Sequence, residues 1–188
     1  MATVIVVDYD PSWPAVFEQL RAAIWPAVRD LATSIEHMGS TSVVGLAAKP
    51  IIDMTIVVPT VSQMGLLIDR LAMLGYRHRG DLGVPGREAF ARPDGTPAHH
   101  LYACVKGNLG LRNPLAVRDH LRRNPSGARE YGALKRQLAA RFPDDIDGYV
   151  EGKTDFILAI LAREGFSPSE LAEIRAINQK PERGGCRS

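Results

Sequence analysis

The segment Ile51–Val58 constrains the fold more than any other part of the chain, because its residues are almost all apolar and mostly β-branched. Such a run predicts a strand that other elements cover on both faces. Asp53 interrupts the run near its start, and burying a carboxylate is costly unless a metal ion or a hydrogen-bond donor compensates for it. The sequence therefore predicts an interior sheet with an acid at the beginning of one strand.

Periodicity along the rest of the chain predicts a mixed sheet in the first half and helices in the second. Further strands are expected at Thr3–Val7, Ser34–Met38, Tyr76–Arg79, Glu88–Arg92 and His99–Val105. Helices are expected from Ser12, over Val61–Leu74, and after Asn113, Asn124, Asp144 or Asp145, and Ser167. Pro26 is expected to kink or split the first helix. The predicted fold class is α/β in the broad sense (α+β), a mixed sheet with flanking helices.

Length and composition predict one globular domain over residues 1–178 and a disordered polar tail over 179–188. The chain has 188 residues, of which 45% are hydrophobic and 23% charged, and its net charge of +2 is too small to indicate a nucleic-acid partner. No segment approaches the ~20 apolar residues of a membrane span. The distant pair Cys104 and Cys186 favours a reduced, cytoplasmic setting over a disulfide framework.

The segment His37–Asp53 contains the residues best suited to chemistry. Gly39 allows a sharp turn and a close approach of phosphate, and the hydroxyls of Ser40 and Thr41 can donate to phosphate oxygens. A short helix starting here would add its positive end, and Lys49 adds a mobile charge. Spacing alone supports equally well the alternative of a simple Gly-Ser turn with an acid at a strand edge.

Several stretches of the chain together resemble one known family. They are IEHMGSTSVVGLAAKPIIDMTIVV, YDPSWPAVFEQLR, LGYRHRGDLGVPGREAFAR, HHLYACVKG, LAVRDHLRRNP, EYGALKRQLAARFPDD and EGKTDFI. These stretches resemble the GrpB family, a group assigned to the nucleotidyltransferase superfamily, and the likeness extends to about residue 164. The resemblance implies a nucleotidyltransferase fold. It implies less about chemistry, since the reaction of the family is generally unassigned and some members are fused to dephospho-CoA kinase.

Two positions depart from the pattern that the resemblance implies. In the superfamily a Gly-Ser pair is followed about a dozen residues later by Asp-x-Asp or Asp-x-Glu, whereas here Asp53 is followed by Thr55. Two carboxylates are normally needed to hold Mg²⁺ against substrate phosphates. On a later strand, where the family commonly has His-Leu-His, this chain has His100-Leu101-Tyr102. We therefore expect Asp53 to be the metal ligand for Mg²⁺, in a weakened site.

Two histidines and several basic residues complete the candidate site. His37 and His100 could join Asp53 in a metal or acid–base cluster, and the alternative for His37 is a hydrogen bond that holds the loop. Substrate phosphates are expected near basic residues in the family-like stretches. These are Arg87, Lys135, Lys153 and Arg118, the last of which could grip a phosphate together with Arg122 one helical turn away.

For most of these basic residues a solvated surface is the alternative to a binding role. Aromatic residues are not interleaved with them, so a nucleic-acid partner is not expected.

Three functions stay open at the level of sequence. The first is an enzyme that binds a nucleoside triphosphate with Mg²⁺ and transfers the nucleotidyl group to a small acceptor, with Asp53, His100 and His37 as catalytic residues. The second is a non-catalytic module that binds a nucleotide or a phosphorylated small molecule and assists a partner such as dephospho-CoA kinase. The third is a different transferase or ligase reaction on the same scaffold, because a fold does not fix a reaction.

Overall fold

The computed structural model describes residues 3–179, which form five strands and seven helices. The strands are β1 (Ser34–Met38), β2 (Ile52–Val58), β3 (Arg77–His78), β4 (Arg87–Ala91) and β5 (His99–Val105). The helices are α1 (Trp13–Val28), α2 (Met64–Met73), α3 (Leu109–Arg123), α4 (Pro125–Arg141), α5 (Ile146–Gly152), α6 (Thr154–Arg163) and α7 (Pro168–Asn178). The predicted fold class, a mixed sheet with flanking helices, is confirmed.

The strands form one sheet in the order β1-β2-β5-β4-β3. Only the β2–β5 pair is parallel, and the other three pairs are antiparallel. The parallel pair requires the chain to cross over between β2 and β5, and α2, β3 and β4 lie in that connection. Because β2 has a neighbour on each side, the apolar run that predicts it lies inside the sheet.

The two faces of the sheet differ in chemistry. Residues directly opposite one another on neighbouring strands point to the same face. One face contains Met54, Ile56 and Leu101 and packs against α1 and α2 in the largest hydrophobic cluster. The other face carries Asp53 at the start of β2, and further along it packs against α3 through an apolar cluster. Helices therefore cover β2 on both faces, as its composition predicts.

Two expectations about the N-terminal part of the chain need correction. Thr3–Val7 is not a sheet strand, because it makes a single bridge to Ala48 and a separate bond from the Val4 amide to the Pro143 carbonyl. Pro26 does not split α1, because it lies two residues before the helix ends and removes only one late hydrogen bond.

The helices of the second half begin mostly where capping residues predict. Asn124 caps α4, Asp145 caps α5, and Ser167 forms a capping box with Glu170 at α7. The third helix is an exception: α3 begins before the predicted Asn113-Pro114, because the Asn108 side chain caps it by accepting from the Gly110 amide.

The helix predicted to run from about residue 145 to 163 is divided into α5 and α6, which meet at Lys153. This break aims the Lys153 side chain into the cavity described below. Within residues 3–179 no helix is both long and apolar enough to cross a bilayer. The predicted disordered tail, apart from Gln179, lies outside the described residues, as does Cys186, and Cys104 is a buried free thiol on β5.

Candidate active site

The turn that follows β1 lies directly over the carboxylate of Asp53. Met38 at the end of β1 is opposite Asp53 on β2, so the next residue, Gly39, crosses in front of that side chain. Gly39 has φ 65° and ψ −171°, a conformation that is almost restricted to glycine. A Cβ atom at this position would lie 2.2 Å from Asp53 Oδ2. The glycine is therefore required by both its backbone conformation and its neighbour.

Asp53 forms a hydrogen-bonded pair with His100. The two residues are directly opposite on the parallel strands β2 and β5, and His100 Nδ1 is 2.9 Å from Asp53 Oδ1. An ionised carboxylate can only accept, so Nδ1 carries a proton, and in the neutral imidazole Nε2 then has a lone pair that can accept one. The side chains are 34% and 47% exposed, so both groups are open to a ligand.

A cavity of about 230 Å³ joins this pair to the turn after β1 and to three lysines. Besides two tyrosines, its polar and charged lining consists of Ser40, Thr41, Lys49, Asp53, His100, Lys135 and Lys153. The residues come from the β1–β2 connection, β2, β5, α4 and the α5–α6 junction. The serine and the carboxylate thus face one hollow, which is the condition that a shared phosphate site requires.

Two buried tyrosines on helices also line the cavity. Tyr131 and Tyr149 are 5% and 1% exposed. The Lys135 ammonium lies 4.7 Å from the centroid of Tyr131, and the Lys153 ammonium lies 4.4 Å from that of Tyr149. Contacts of this kind attract a cation to the ring face. Sequence periodicity could reveal that these tyrosines are buried, but it gives no sign that they position lysines.

Desolvation lowers the pKa of two lysines of this cavity, Lys135 and Lys153. Lys135 is 2% exposed, and its ammonium donates to the Ala47 carbonyl. Desolvation, together with neighbouring cations, lowers the pKa of Lys135 to about 7. Burial and the positive charge of Lys49 likewise lower the pKa of Lys153 to about 8. The cavity thus holds desolvated amines, and a bound anion would stabilise their protonated forms.

The structure separates His37 from the Asp53–His100 pair. His37 is opposite Met54 and points to the other face of the sheet, where it stacks on Phe17 with ring centroids 4.6 Å apart. Its Nε2 is 3.0 Å from the Thr41 hydroxyl. The expected cluster of His37, His100 and Asp53 is therefore not formed. Thr41 lines the cavity as expected, but it is only 1% exposed and its hydroxyl is hydrogen-bonded to His37.

The buried position of His37 leads to a prediction about pH. Desolvation and the nearby Arg122 lower the pKa of His37 from 6.5 to about 4. Between these values the unfolded chain binds a proton that the folded protein excludes, so stability falls as the pH falls from 6.5 toward 4. The contribution approaches about 1.4 kcal/mol per pH unit in that window. In urea unfolding, His37→Asn is expected to show a shallower slope, and a slope equal to wild type would contradict the assignment.

Arg118 and Arg122 hold the loop and do not form the predicted phosphate clamp. Arg118 donates to Glu36 at 2.9 Å, to the His37 carbonyl at 3.1 Å and to Asp119 at 2.7 Å. Arg122 donates twice to the Ser42 carbonyl, at 3.0 and 2.8 Å. Both guanidinium groups are thus engaged in fixing the segment around Gly39. The sequence gives no sign of this role of Glu36, because its partner Arg118 lies on a helix 82 residues further along the chain.

Arg87 lies away from the lysine-lined cavity. Its guanidinium carbon is 4.4 Å from the Tyr102 ring centroid, and the side chain lines a different cavity of about 190 Å³ beside α3 and α7. Arg118 and Lys153, by contrast, both line a second chamber of about 230 Å³. This chamber also contains Gly39 and Ser40, so it adjoins the lysine-lined cavity, and its other walls are largely apolar.

The side chains of the cavity do not supply enough ligands for the protein to bind a metal ion by itself. Mg²⁺ in phosphate-transfer sites takes carboxylates together with phosphate oxygens. Here Asp53 is the one carboxylate of the cavity, and its Oδ1 is already bonded to His100. Thr55 stands two residues on, where the second acid would be needed. Among residues 3–179 no group of three His, Cys, Asp or Glu side chains could hold a metal.

The sequence profile of the GrpB protein family matches residues 3–163. The chain belongs to the GrpB family. A crystal structure of GrpB from Enterococcus faecalis superposes with a TM-score of 0.74 at 35% identity, covering 92% of this chain and 98% of that one. Terminal uridylyl transferase 4 from Trypanosoma brucei, solved with bound dUTP, superposes with a TM-score of 0.52 at 14% identity, covering 93% of this chain and 62% of the other. This GrpB chain therefore has a nucleotidyltransferase fold.

Two curated relatives of this chain are longer proteins that it matches over part of their length. The UPF0157 protein YqkA of Bacillus subtilis is 34% identical over 152 residues, which is 81% of this chain and 44% of the relative. A dephospho-CoA kinase of Mycolicibacterium paratuberculosis is 28% identical over 177 residues, again 81% of this chain and 44% of the relative. The chain thus spans less than half the length of these two proteins.

Proposed function

We propose that this GrpB protein binds a nucleoside triphosphate in the lysine-lined cavity and transfers its nucleotidyl group to a small acceptor. One observation carries the proposal: Ser40, three lysines and the Asp53–His100 pair line a single cavity next to a glycine turn. The lysines supply charge for the polyphosphate, and Gly39 leaves room for it beside the backbone. The uridylyl transferase that shares the fold is itself a nucleotide-binding protein, which supports this ligand class.

In the proposed reaction His100 is the general base. The hydroxyl oxygen of the acceptor forms a bond to the α-phosphorus, the bond from that phosphorus to pyrophosphate breaks, and the acceptor proton passes to His100 Nε2. Asp53 keeps the imidazole in the tautomer that leaves Nε2 unprotonated, through the bond at Nδ1. The lysines stabilise the pyrophosphate as it leaves. Mg²⁺ is not a resident cofactor in this scheme, although Asp53 could contact an ion that arrives with the nucleotide.

The decisive variant for catalysis is Asp53→Asn. An amide preserves the size of the side chain but can stabilise the wrong histidine tautomer and cannot stabilise a protonated imidazole. We expect nucleotide-dependent pyrophosphate release to fall by about a hundredfold or more, while nucleotide binding changes by less than about threefold. Asp94→Asn, at an exposed acid outside the cavity, is the matched control. Pyrophosphate release at the wild-type rate in Asp53→Asn would refute His100 as the base.

A second candidate function is a non-catalytic binding module, and Thr55 favours it. A neutral hydroxyl in place of the second carboxylate is the change expected when a fold persists after its metal site has decayed. Such a module would bind a nucleotide or phosphorylated small molecule and assist a partner, with dephospho-CoA kinase as the candidate that the fused relative suggests. This function predicts ligand binding with no pyrophosphate release, in the wild type and in Asp53→Asn alike. A different transferase or ligase reaction would release another product from the same cavity.

A further inference from the structure

Among residues 3–179 the three lysines of the cavity form no ion pair, and Asp53 is the acid whose charge acts on Lys135 and Lys153. None of the ion pairs among residues 3–179 involves Lys49, Lys135 or Lys153. An ammonium has three donors, and the only hydrogen bond found for these lysines in that part of the chain is from Lys135 to the Ala47 carbonyl. A desolvated ammonium without an anionic partner is costly, and an anion bound beside the lysines would offset that cost.

Aromatic rings hold the lysines near one another. Lys153 and Lys49 lie over the same Tyr149 ring, with their ammonium nitrogens 4.4 and 5.8 Å from its centroid. Lys135 lies over Tyr131, which also lines the cavity. Tyrosine faces attract cations without neutralising them, so the positive charges are positioned and remain available. An anion with several charged groups is the ligand that can contact more than one of them.

The composition of the cavity also disfavours a divalent cation. One carboxylate, Asp53, faces three lysine side chains, and each of them that is protonated repels another cation strongly where water is excluded. We propose that Lys49, Lys135 and Lys153, and not a divalent metal ion, neutralise the polyphosphate of the ligand, so that it binds in the absence of such ions. This inference rests on the proposed nucleotide site and specifies its source of charge. It concerns binding and makes no claim about catalysis.

Anion binding at this site should draw protons onto the protein. Besides desolvation, the charges of Lys153 and Arg136 lower the pKa of Lys135, and the charge of Asp53 raises it. The charge of Lys49 lowers the pKa of Lys153, and that of Asp53 raises it. A bound polyanion opposes the desolvation that lowers the pKa of both lysines, so binding near pH 8 is accompanied by uptake of the order of one proton. A metal bridge between Asp53 and phosphate would give no such uptake, because the lysines would not be the charge partners.

The test uses inorganic tripolyphosphate and titration calorimetry on the full chain at pH 8. Titrations in EDTA are compared with titrations in excess Mg²⁺, and each is repeated in two buffers of different ionisation enthalpy to count protons. The dissociation constant in EDTA is expected to be no larger than that in Mg²⁺. Lys153→Met is expected to weaken binding at least tenfold and to reduce proton uptake, because it removes one of the charge partners (about tenfold is the usual scale for one charge-assisted contact).

Lys106→Met is the matched control, since Lys106 is exposed and lies outside the cavity. Its binding constant and proton uptake should equal those of wild type. Lys49→Met is the second variant should Lys153→Met fail to fold, as judged by circular dichroism. Binding in EDTA that each folded cavity variant weakens and the control does not would support the inference.

Binding that appears only with Mg²⁺, or that survives both lysine substitutions, would overturn the inference. The proposed nucleotidyl transfer would still stand in the first case, provided that nucleotide-dependent pyrophosphate release is observed. Absence of tripolyphosphate and nucleotide binding under both conditions would overturn the inference and the proposed function together. The two failures are therefore distinguishable by the same set of titrations and the pyrophosphate assay.

Discussion

Replacing Gly39 by alanine is expected to lower the free energy of unfolding by at least about 3 kcal/mol and to abolish tripolyphosphate binding. Two causes act together. The backbone at φ 65° and ψ −171° is strained for any residue with a side chain, and the new Cβ would lie 2.2 Å from Asp53 Oδ2. The carboxylate must move, which separates it from His100 and alters the mouth of the cavity. Urea unfolding and calorimetry measure the two effects.

Gly45→Ala is the control for backbone strain without the clash. Gly45 also has a positive φ, 77°, but a Cβ there would have no neighbour within 4 Å. Its replacement should therefore cost only about 1 to 2 kcal/mol and leave ligand binding intact. If Gly39→Ala proved no more destabilising than Gly45→Ala, the close approach of the turn to Asp53 would be refuted.

A double-mutant cycle separates the clash at Gly39 from the backbone strain. Asp53→Ala removes the oxygen that the new methyl group would strike, while the φ of residue 39 stays unfavourable. We therefore expect Gly39→Ala to cost less in the Asp53→Ala background, with a coupling of about 1 kcal/mol or more. Strict additivity would mean that the whole cost of Gly39→Ala comes from the backbone.

The parts of this protein that were predictable from sequence are those set by local chemistry. The apolar run of β2 needs cover on both faces, and the caps at Asn124 and Ser167 satisfy the free amides of their own helices. The Gly39-Ser40 turn and Asp53 lie in one segment, so their proximity requires only a short connection between paired strands. Such features depend on residues near one another in the chain.

What could not be predicted depends on which face of the sheet a residue occupies and on distant partners. Along β1, neighbouring side chains alternate between faces, so Met38 shares the face of Asp53 and His37 cannot. This follows only once the β1–β2 register is known. Arg118 shows the second difficulty, because its position on α3 suggests a phosphate ligand, while its actual partner Glu36 is 82 positions away in sequence.

Replacing Lys135 by methionine is expected to flatten the pH dependence of stability and to eliminate ligand binding. Burial lowers the pKa of Lys135 from 10.5 to about 7. Between these values the unfolded chain holds a proton that the folded protein has released, so wild-type stability rises with pH across this window. The rise from this one group approaches about 1.4 kcal/mol per pH unit. Methionine fills a similar volume without a charge and removes that contribution.

The stability of Lys135→Met relative to wild type should thus depend on pH. At pH 7 and below, folding of the wild type must desolvate a charged ammonium, which lowers its free energy of unfolding. The variant has no such charge and is therefore more stable relative to wild type at these pH values. As the pH approaches 10, Lys135 is neutral in the folded wild type and this desolvation penalty is lost. The variant is then the less stable protein, because the Ala47 carbonyl has lost the hydrogen bond that Lys135 donates. Urea unfolding at several pH values, with and without tripolyphosphate, measures both consequences. Parallel pH profiles for the two proteins would show that Lys135 is not desolvated, and tripolyphosphate stabilising both equally would show that its ammonium does not contact the ligand.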